Sequence, residues 1–339
     1  MRSQATGIFL SLGLALLSSS MPASALITRC ADLPGWQQDD QAAALRAFRL
    51  SCPQLQDPAW QAACAAAGVA TNARQFFEDH FQPRLVGPGG RTLFTGYYEP
   101  EIAASPIQTP AFAYPIYAKP PELHPGEVWF DRKTIEDSGV LKGRGLEIAW
   151  LSDPVDVFFL QIQGSGRLRM PDGRVQRVGF AAKNGQPYRS IGQELVRRGA
   201  FRPAEVSAWT IKRWVRSHPE AGRELMDTNP SYVFFRKLGL PTSSGPIGAM
   251  NVPVTAGRSL AVDPAVVPLG APVWVDAAGR DPIRSLMVAQ DTGSAIKGPG
   301  RADVFIGSGA RAGVIAGRMR DEGRMYVLIP KNAQAEASR

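Results

Sequence analysis

The chain has 339 residues, 38 Lys and Arg against 30 Asp and Glu, and a formal net charge of +8. Hydrophobic residues make up 44% and charged residues 20%, a globular balance that excludes a mostly disordered chain and allows about two domains. Only 3 His and 3 Cys are present; none stands at zinc-ligand spacing, and no GxxxxGK[ST] occurs. Zinc-finger, HExxH and P-loop chemistry are therefore excluded, and neither a metal nor another cofactor is expected.

Arg2 precedes an apolar run over 7–17, then Ser18-Ser19-Ser20 and Ala23-Ser24-Ala25, the order of a secretory signal peptide over 1–25. Cleavage after Ala25 leaves 37 basic against 30 acidic residues, a net charge of +7. The apolar run is too short to span a bilayer. A bacterial lipid anchor needs a cysteine behind small residues, but Cys30 follows Leu26-Ile27-Thr28-Arg29. The expectation is an unanchored protein exported to an extracytoplasmic compartment. That compartment is oxidising. Cys52 and Cys64 flank a proline-bounded loop between two helical patterns and are the favoured pair, although three cysteines leave the connectivity open.

The spacing predicts helices over 39–50, 58–67 and 72–81. After Gly87-Pro88-Gly89-Gly90 the texture predicts strands over 92–98, 113–118 and 157–162. A helix starts at Ser190, where Ser190 and Gln193 form a capping box, and Gly199 stops it. Pro203 opens another that carries Trp209 and Trp214 and ends at His218-Pro219. Strands follow over 259–262, 272–275, 286–290, 304–306 and 325–329, with an Ala/Gly-rich helix over 310–321. Residues 333–339 read as a disordered tail.

Three carboxylates stand at strand ends. Asp263 closes one apolar run, Asp291 closes another, and Asp303 opens a third, with a glycine-rich loop over 292–300 between the last two. A carboxyl at the end of an apolar strand is partly desolvated, which raises its pKa toward that of a general acid at neutral pH. Any one of them is as readily a turn residue.

Four segments carry a resemblance to a known family: Phe94-Thr95-Gly96-Tyr97-Tyr98-Glu99-Pro100, Phe159-Leu160-Gln161-Ile162-Gln163-Gly164-Ser165-Gly166, Asn229-Pro230-Ser231-Tyr232-Val233-Phe234-Phe235, and Ala289-Gln290-Asp291 through Asp303. The chain resembles the MltA family of lytic murein transglycosylases from about residue 39 to 330, and its C-terminal part is similar to the domain named for three aspartates, here Asp263, Asp291 and Asp303. The resemblance implies a mainly β fold with peripheral helices. A double-psi β-barrel domain comes from 26–100 and 243–332, and a smaller inserted β-barrel-like domain from 101–242, with the substrate groove between them. Two departures stand out: Ser294 where glycine is usual, and the missing anchor cysteine.

The same resemblance places the family's catalytic aspartate on Asp303 and its supporting aspartate on Asp291. The reaction it implies uses no water: the muramic acid C6 hydroxyl attacks its own anomeric carbon and closes a 1,6-anhydro ring. One carboxyl then suffices, because the nucleophile is already in place. Thr95, Tyr97, Tyr98, Gln163, Ser165 and Asp263 are the substrate-binding candidates. Glu99 reads as a turn residue more readily than as a second acid, and Lys297 as a solvated loop lysine or a carboxylate partner. The partner is the peptidoglycan glycan strand, not nucleic acid, cell-wall synthesis proteins are unidentified, and a monomer is expected. Competing readings are an inverting hydrolase using Asp303 and Asp291, an aspartic protease through Asp291-Thr292-Gly293, and a non-catalytic glycan-binding module. N-terminal sequencing of the exported protein should begin at Leu26; an intact Met1 would contradict the leader.

Overall fold

In this computed structural model, residues 27–239, 241, 244–279 and 282–331 are described. The leader over 1–25, the tail over 333–339 and the expected domain boundary at 242/243 lie outside them. An N-terminal helical layer comes first: α1 (Gln41–Ser51), α2 (Pro58–Val69) and α3 (Ala73–His80). Asp40, Asp57 and Asn72 cap them, each side chain accepting from backbone N–H groups of the first turn. Cys52 and Cys64 are bonded, with Cα atoms 5.5 Å apart, while Cys30 is a buried free thiol.

The strands β1 (Phe81–Leu85) and β2 (Thr92–Glu99) follow. The chain then leaves for a second sheet: β3 (Glu101–Ser105), β4 (Tyr114–Tyr117), α4 (Arg132–Ser138), β5 (Glu147–Leu151), α5 (Pro154–Gln163), β6 (Ser165–Arg169), β7 (Val175–Lys183), α6 (Ile191–Arg197), α7 (Ala208–Ser217), α8 (Pro219–Asp227) and β8 (Val233–Leu238). It returns through β9 (Ser259–Ala261), β10 (Pro272–Ala278), β11 (Ile283–Asp291), β12 (Arg301–Ser308), α9 (Gly309–Arg318) and β13 (Arg320–Pro330).

The first sheet closes on itself. Its order β1-β13-β10-β11-β9-β12-β2 carries a further pairing between β13 and β2, which makes a ring of six strands with β1 added outside. One edge of the long β13 pairs with β10; the other is shared by β2 near its start and β1 at its end. Two pairings in the ring, β2 with β12 and β9 with β11, are parallel. The fold is mainly β with peripheral helices, a barrel plus an inserted sheet, as expected. Side chains alternate on the strands. Val273, Val275, Met287, Ala289, Met325 and Val327 fill the barrel, while Trp274, Leu286, Val288, Tyr326 and Leu328 face the helical layer and meet Trp36, Phe48 and Phe77.

The second sheet has the order β4-β5-β3-β6-β7-β8, and a bridge between Ala118 and Phe235 brings its edges together. Three expectations are corrected here. Residues 157–162 are not a strand but part of α5, started by Asp153 with Pro154 behind it and ended by Gly164 in the left-handed conformation. This helix is apolar nearly all round because it is buried between two clusters: Val157 and Leu160 pack on the sheet, Val155, Phe158 and Phe159 on α6–α8. A helix that is apolar all round has no polar face to reveal its period. The helix expected from Pro203 is a short 3-10 turn, Pro203–Glu205, followed by α7, whose cap is the reciprocal Ser207–Thr210 pair; a separate α8 continues from Pro219. The last helix ends at Arg318, and Arg320 and Asp321 already belong to β13.

Removing the bridge with Cys52→Ser and Cys64→Ser releases a loop of separation 12, which should lower the unfolding free energy by about 3 kcal/mol on loop-entropy grounds. Urea denaturation of the non-reduced proteins measures it.

Candidate active site

The alternation that fills the barrel also turns the chemistry outward. On β12, Ala302 and Val304 are buried in the barrel, so Asp303 and Phe305 project to the other side. On β2, Phe94 points inward and Thr95 and Tyr97 outward. The parallel register sets Asp303 beside Thr95 and Phe305 beside Tyr97, and the antiparallel one sets Asp303 beside Ala261 of β9. This outward face and the insert enclose a cleft of about 180 Å³. The barrel side supplies Tyr97, Asp291 and Asp303 with the 292–296 loop, and the insert supplies Arg132, Gln163 and Tyr188 among others.

The two aspartates differ in what they accept. Asp303 receives one hydrogen bond, from the Thr95 hydroxyl at 2.9 Å, and Arg301 in turn donates to the Thr95 oxygen at 3.3 Å. Burial outweighs the Thr95 hydrogen bond and the Arg301 charge and lifts its pKa to about 7, with Asp291 adding a small push. Asp291 receives three: Tyr97 Oη at 2.9 Å on one oxygen, and the N–H groups of Ala249 and Thr292 at 3.0 and 2.9 Å on the other. Burial raises its pKa too, against the pull of those donors. Tyr97 is itself held as a neutral donor: burial and the neighbouring Asp291 charge push its pKa well up, and its ring packs on Phe305 at 5.2 Å.

The remaining candidates divide. Gln163 ends α5 on the cleft wall and accepts the Tyr98 N–H at 3.4 Å. Tyr98 itself turns away from the cleft, its ring against Gly313 of α9. Ser165 is buried at the start of β6 opposite Gly179 and does not line the cleft. Its neighbours explain the motif: Gly164 makes the left-handed turn that ends α5, and a Cβ at Gly166 would run into Leu160. Asp263 accepts from Ala265 N–H at 3.2 Å and Gly298 N–H at 2.8 Å, which lowers its pKa and ties the turn after β9 to the glycine-rich loop. Lys297 is exposed, close enough to Asp263 to contribute to that lowering.

Glu99 is neither a turn residue nor an acid in the cleft. It is fully buried where β2 leaves the barrel, and it accepts from Arg167 at 2.8 Å, Arg177 at 2.8 Å and Ser308 at 2.7 Å. Both arginines come from the second sheet, and they also donate to the carbonyls of Ser244 and Pro241 on the returning chain. Among the described residues, no group of three or more His, Cys, Asp or Glu could hold a metal ion.

A family profile described as "MltA specific insert domain" matches residues 93–236, and one described as "3D domain" matches 258–329. Membrane-bound lytic murein transglycosylase A of Escherichia coli is 35% identical over 277 residues, covering 78% of this chain and 72% of that protein. The chain belongs to the MltA family. Among solved MltA-family structures, the membrane-bound lytic murein transglycosylase from Agrobacterium tumefaciens has a TM-score of 0.81 at 36% identity, covering 92% of this chain and 98% of that one. E. coli MltA with bound chitohexaose has a TM-score of 0.70 at 31% identity, covering 86% and 89%.

Apart from Gln163, sequence reasoning missed the insert's share of this MltA-family cleft. Arg132 is buried there, its guanidinium donating to Gln161 at 2.6 Å and to the Ser231 carbonyl at 2.8 Å, and lying 4.5 Å from the Phe158 ring centre. Apart from the i,i+4 pair with Glu136 at 3.0 Å, nothing local in Asp131-Arg132-Lys133 marks it, because the partners that hold it in the cleft wall, Phe158, Gln161 and Ser231, lie far along the chain. Because Thr95 donates to the ionised form of Asp303, Thr95→Val should raise the Asp303 pKa and move any alkaline limb that depends on it to higher pH. Carboxyl chemical shifts followed by NMR across pH would read that pKa directly.

Proposed function

We propose that this lytic murein transglycosylase cleaves the β-1,4 bond between MurNAc and GlcNAc with Asp303 acting first as acid and then as base. The observation that carries the assignment is the poise of that one carboxyl. It is half-buried on the cleft, it accepts a single hydrogen bond, and its pKa lies near 7, so it holds a proton where most carboxyls have lost theirs.

As the bond from MurNAc C1 to the leaving oxygen breaks, Asp303 gives that oxygen its proton. The C6 hydroxyl oxygen of the same MurNAc forms a bond to C1, and the Asp303 carboxylate takes the hydroxyl proton. The enzyme is returned to its starting protonation state, the products are a free GlcNAc 4-hydroxyl and a 1,6-anhydro-MurNAc end, and no water is consumed. Asp291 and Tyr97 act beside it. Asp291, anchored by three donors, supplies a fixed charge near the oxocarbenium-like centre, and Tyr97 keeps it oriented. The hydrolase alternative asks Asp291 to activate water, but protein donors already take three of its roughly four acceptor sites, which favours the supporting role. The single Asp-Thr-Gly segment lacks the facing partner a protease dyad requires.

The glycan strand is the partner in this reading, bound across the cleft between barrel and insert, with Gln163 and Thr95 as contacting or orienting groups. Tyr98, Ser165 and Asp263 serve as supports behind the wall. The insert comprises 101–242 and the barrel domain 26–100 with 243–332. The leader over 1–25 directs the chain to the periplasm, where it works as a monomer. Among the described residues, no helix is long and apolar enough to cross a membrane.

Asp303→Asn should cut the release of anhydro-muropeptides from purified sacculi by about a hundredfold to ten-thousandfold, as measured by mass spectrometry. In the wild type, Asp303 must start protonated, so kcat/KM should fall as pH rises through about 7. Thr95→Val should move that limb upward. Products ending in a reducing sugar instead of an anhydro ring would favour the hydrolase.

A further inference from the structure

Two helices beside the cleft expose a surface that the reaction does not use. Neither α7 nor α9 contains a carboxylate, and together they hold Lys212, Arg213, Arg216, Arg311 and Arg318. Asp153 and Asp156 of the α5 start engage Lys212 at 3.0 Å and Arg216 at 2.6 and 2.9 Å. Arg213, Arg311 and Arg318 have no carboxylate within 4.0 Å among the described residues.

Apolar side chains are interleaved with these cations. On α9, Arg311, Val314, Ile315 and Arg318 follow the i, i+3, i+4, i+7 spacing of one helix face, all exposed. Val314 is 52% exposed and Ile315 43%. On α7, Trp209 is 63% exposed, and the Arg213 guanidinium lies 4.4 Å over its ring. The two helices approach one another. Tyr98 lies beneath α9: its ring rests on Gly313, and burial, with the nearby Asp156 charge adding to it, raises its pKa.

We propose that the exposed faces of α7 and α9 form a docking surface for an anionic phospholipid bilayer. Three arginines without carboxylate partners complement lipid phosphates. The indole of Trp209 suits the headgroup boundary, and the aliphatic Val314 and Ile315 gain by leaving water for the acyl region. A glycan would reward an aromatic face but not two exposed aliphatic side chains flanked by arginine. Charge and apolar side chains on one helix face are the combination that interfacial helices use. Docking here would hold the cleft close to the bilayer, because Tyr98 lies between this surface and Gln163.

The test uses the exported form beginning at Leu26, which contains every described residue, in flotation with vesicles of phosphatidylcholine alone or mixed with phosphatidylglycerol. The expected result is binding to the mixed vesicles only, weakened by salt. Each arginine removed should cost about fivefold in partitioning, so Arg213→Gln with Arg318→Gln should lose roughly twenty-five-fold. Trp209→Ser and Ile315→Ser should also weaken binding. All three variants should keep wild-type turnover of soluble glycan chains, which separates loss of docking from loss of the enzyme. Equal binding to both vesicle types, or none to either, overturns the proposal. So does loss of sacculus binding in these variants without any effect on vesicles, which would assign the surface to the polymer.

Discussion

Asp303 stands between two residues that cannot leave the barrel. Ala302 and Val304 fill the interior, and the twofold period of a strand then forces the aspartate to the outer face. A shift of one residue would bury a carboxylate among Val262, Val273 and Met287 and expose the apolar pair, so register and chemistry are set by the same packing. The parallel pairing with β2 brings Thr95 and Tyr97 to that face in matching register. The barrel is thus the device that aims the acid.

Two similar carboxyls, a few side chains apart, acquire different uses from their surroundings. Asp303 has one donor, too little to offset the cost of its burial, which leaves its proton on offer near neutral pH. Asp291 has three donors, two of them backbone N–H groups, which hold it in place. Desolvation is common to both; the count of hydrogen bonds to the ionised form separates them. Tyr97 belongs to this arrangement as a donor that burial keeps protonated.

The cleft exists only because the insert is held against the barrel, and Glu99 marks where. A fully buried carboxylate among Arg167, Arg177 and Ser308 would cost several kcal/mol if one partner were lost, so parting the insert from the barrel here is costly. Because the two arginines also bind carbonyls of the returning chain, departure from and return to the barrel are tied at one point. Thr95 and Tyr97 lie on the same strand as Glu99, four and two residues before it, so the junction and the site share β2.

Much of this was legible in the sequence. Apolar strand runs ending at Asp263 and Asp291, the capped N-terminal helices and the Cys52–Cys64 pair all depend on neighbours within a dozen residues, and such signals survive without the fold. Helix α5 is not legible as a helix because burial on every side erases its amphipathic period, and Ser165 stands in a motif whose glycines serve a turn and a close packing contact rather than the cleft. The place of Glu99, the presence of Arg132 in the cleft and the unequal hydrogen bonding of Asp291 and Asp303 were beyond any local pattern. By itself the sequence determined which residues can carry acid–base chemistry and which alternate along each strand, because those are properties of side-chain type and short-range period. Only the tertiary structure decided which of them meet and how far each is desolvated, because hydrogen-bond partners such as Thr95 and Asp303, 208 positions apart, are set by strand pairing across the barrel.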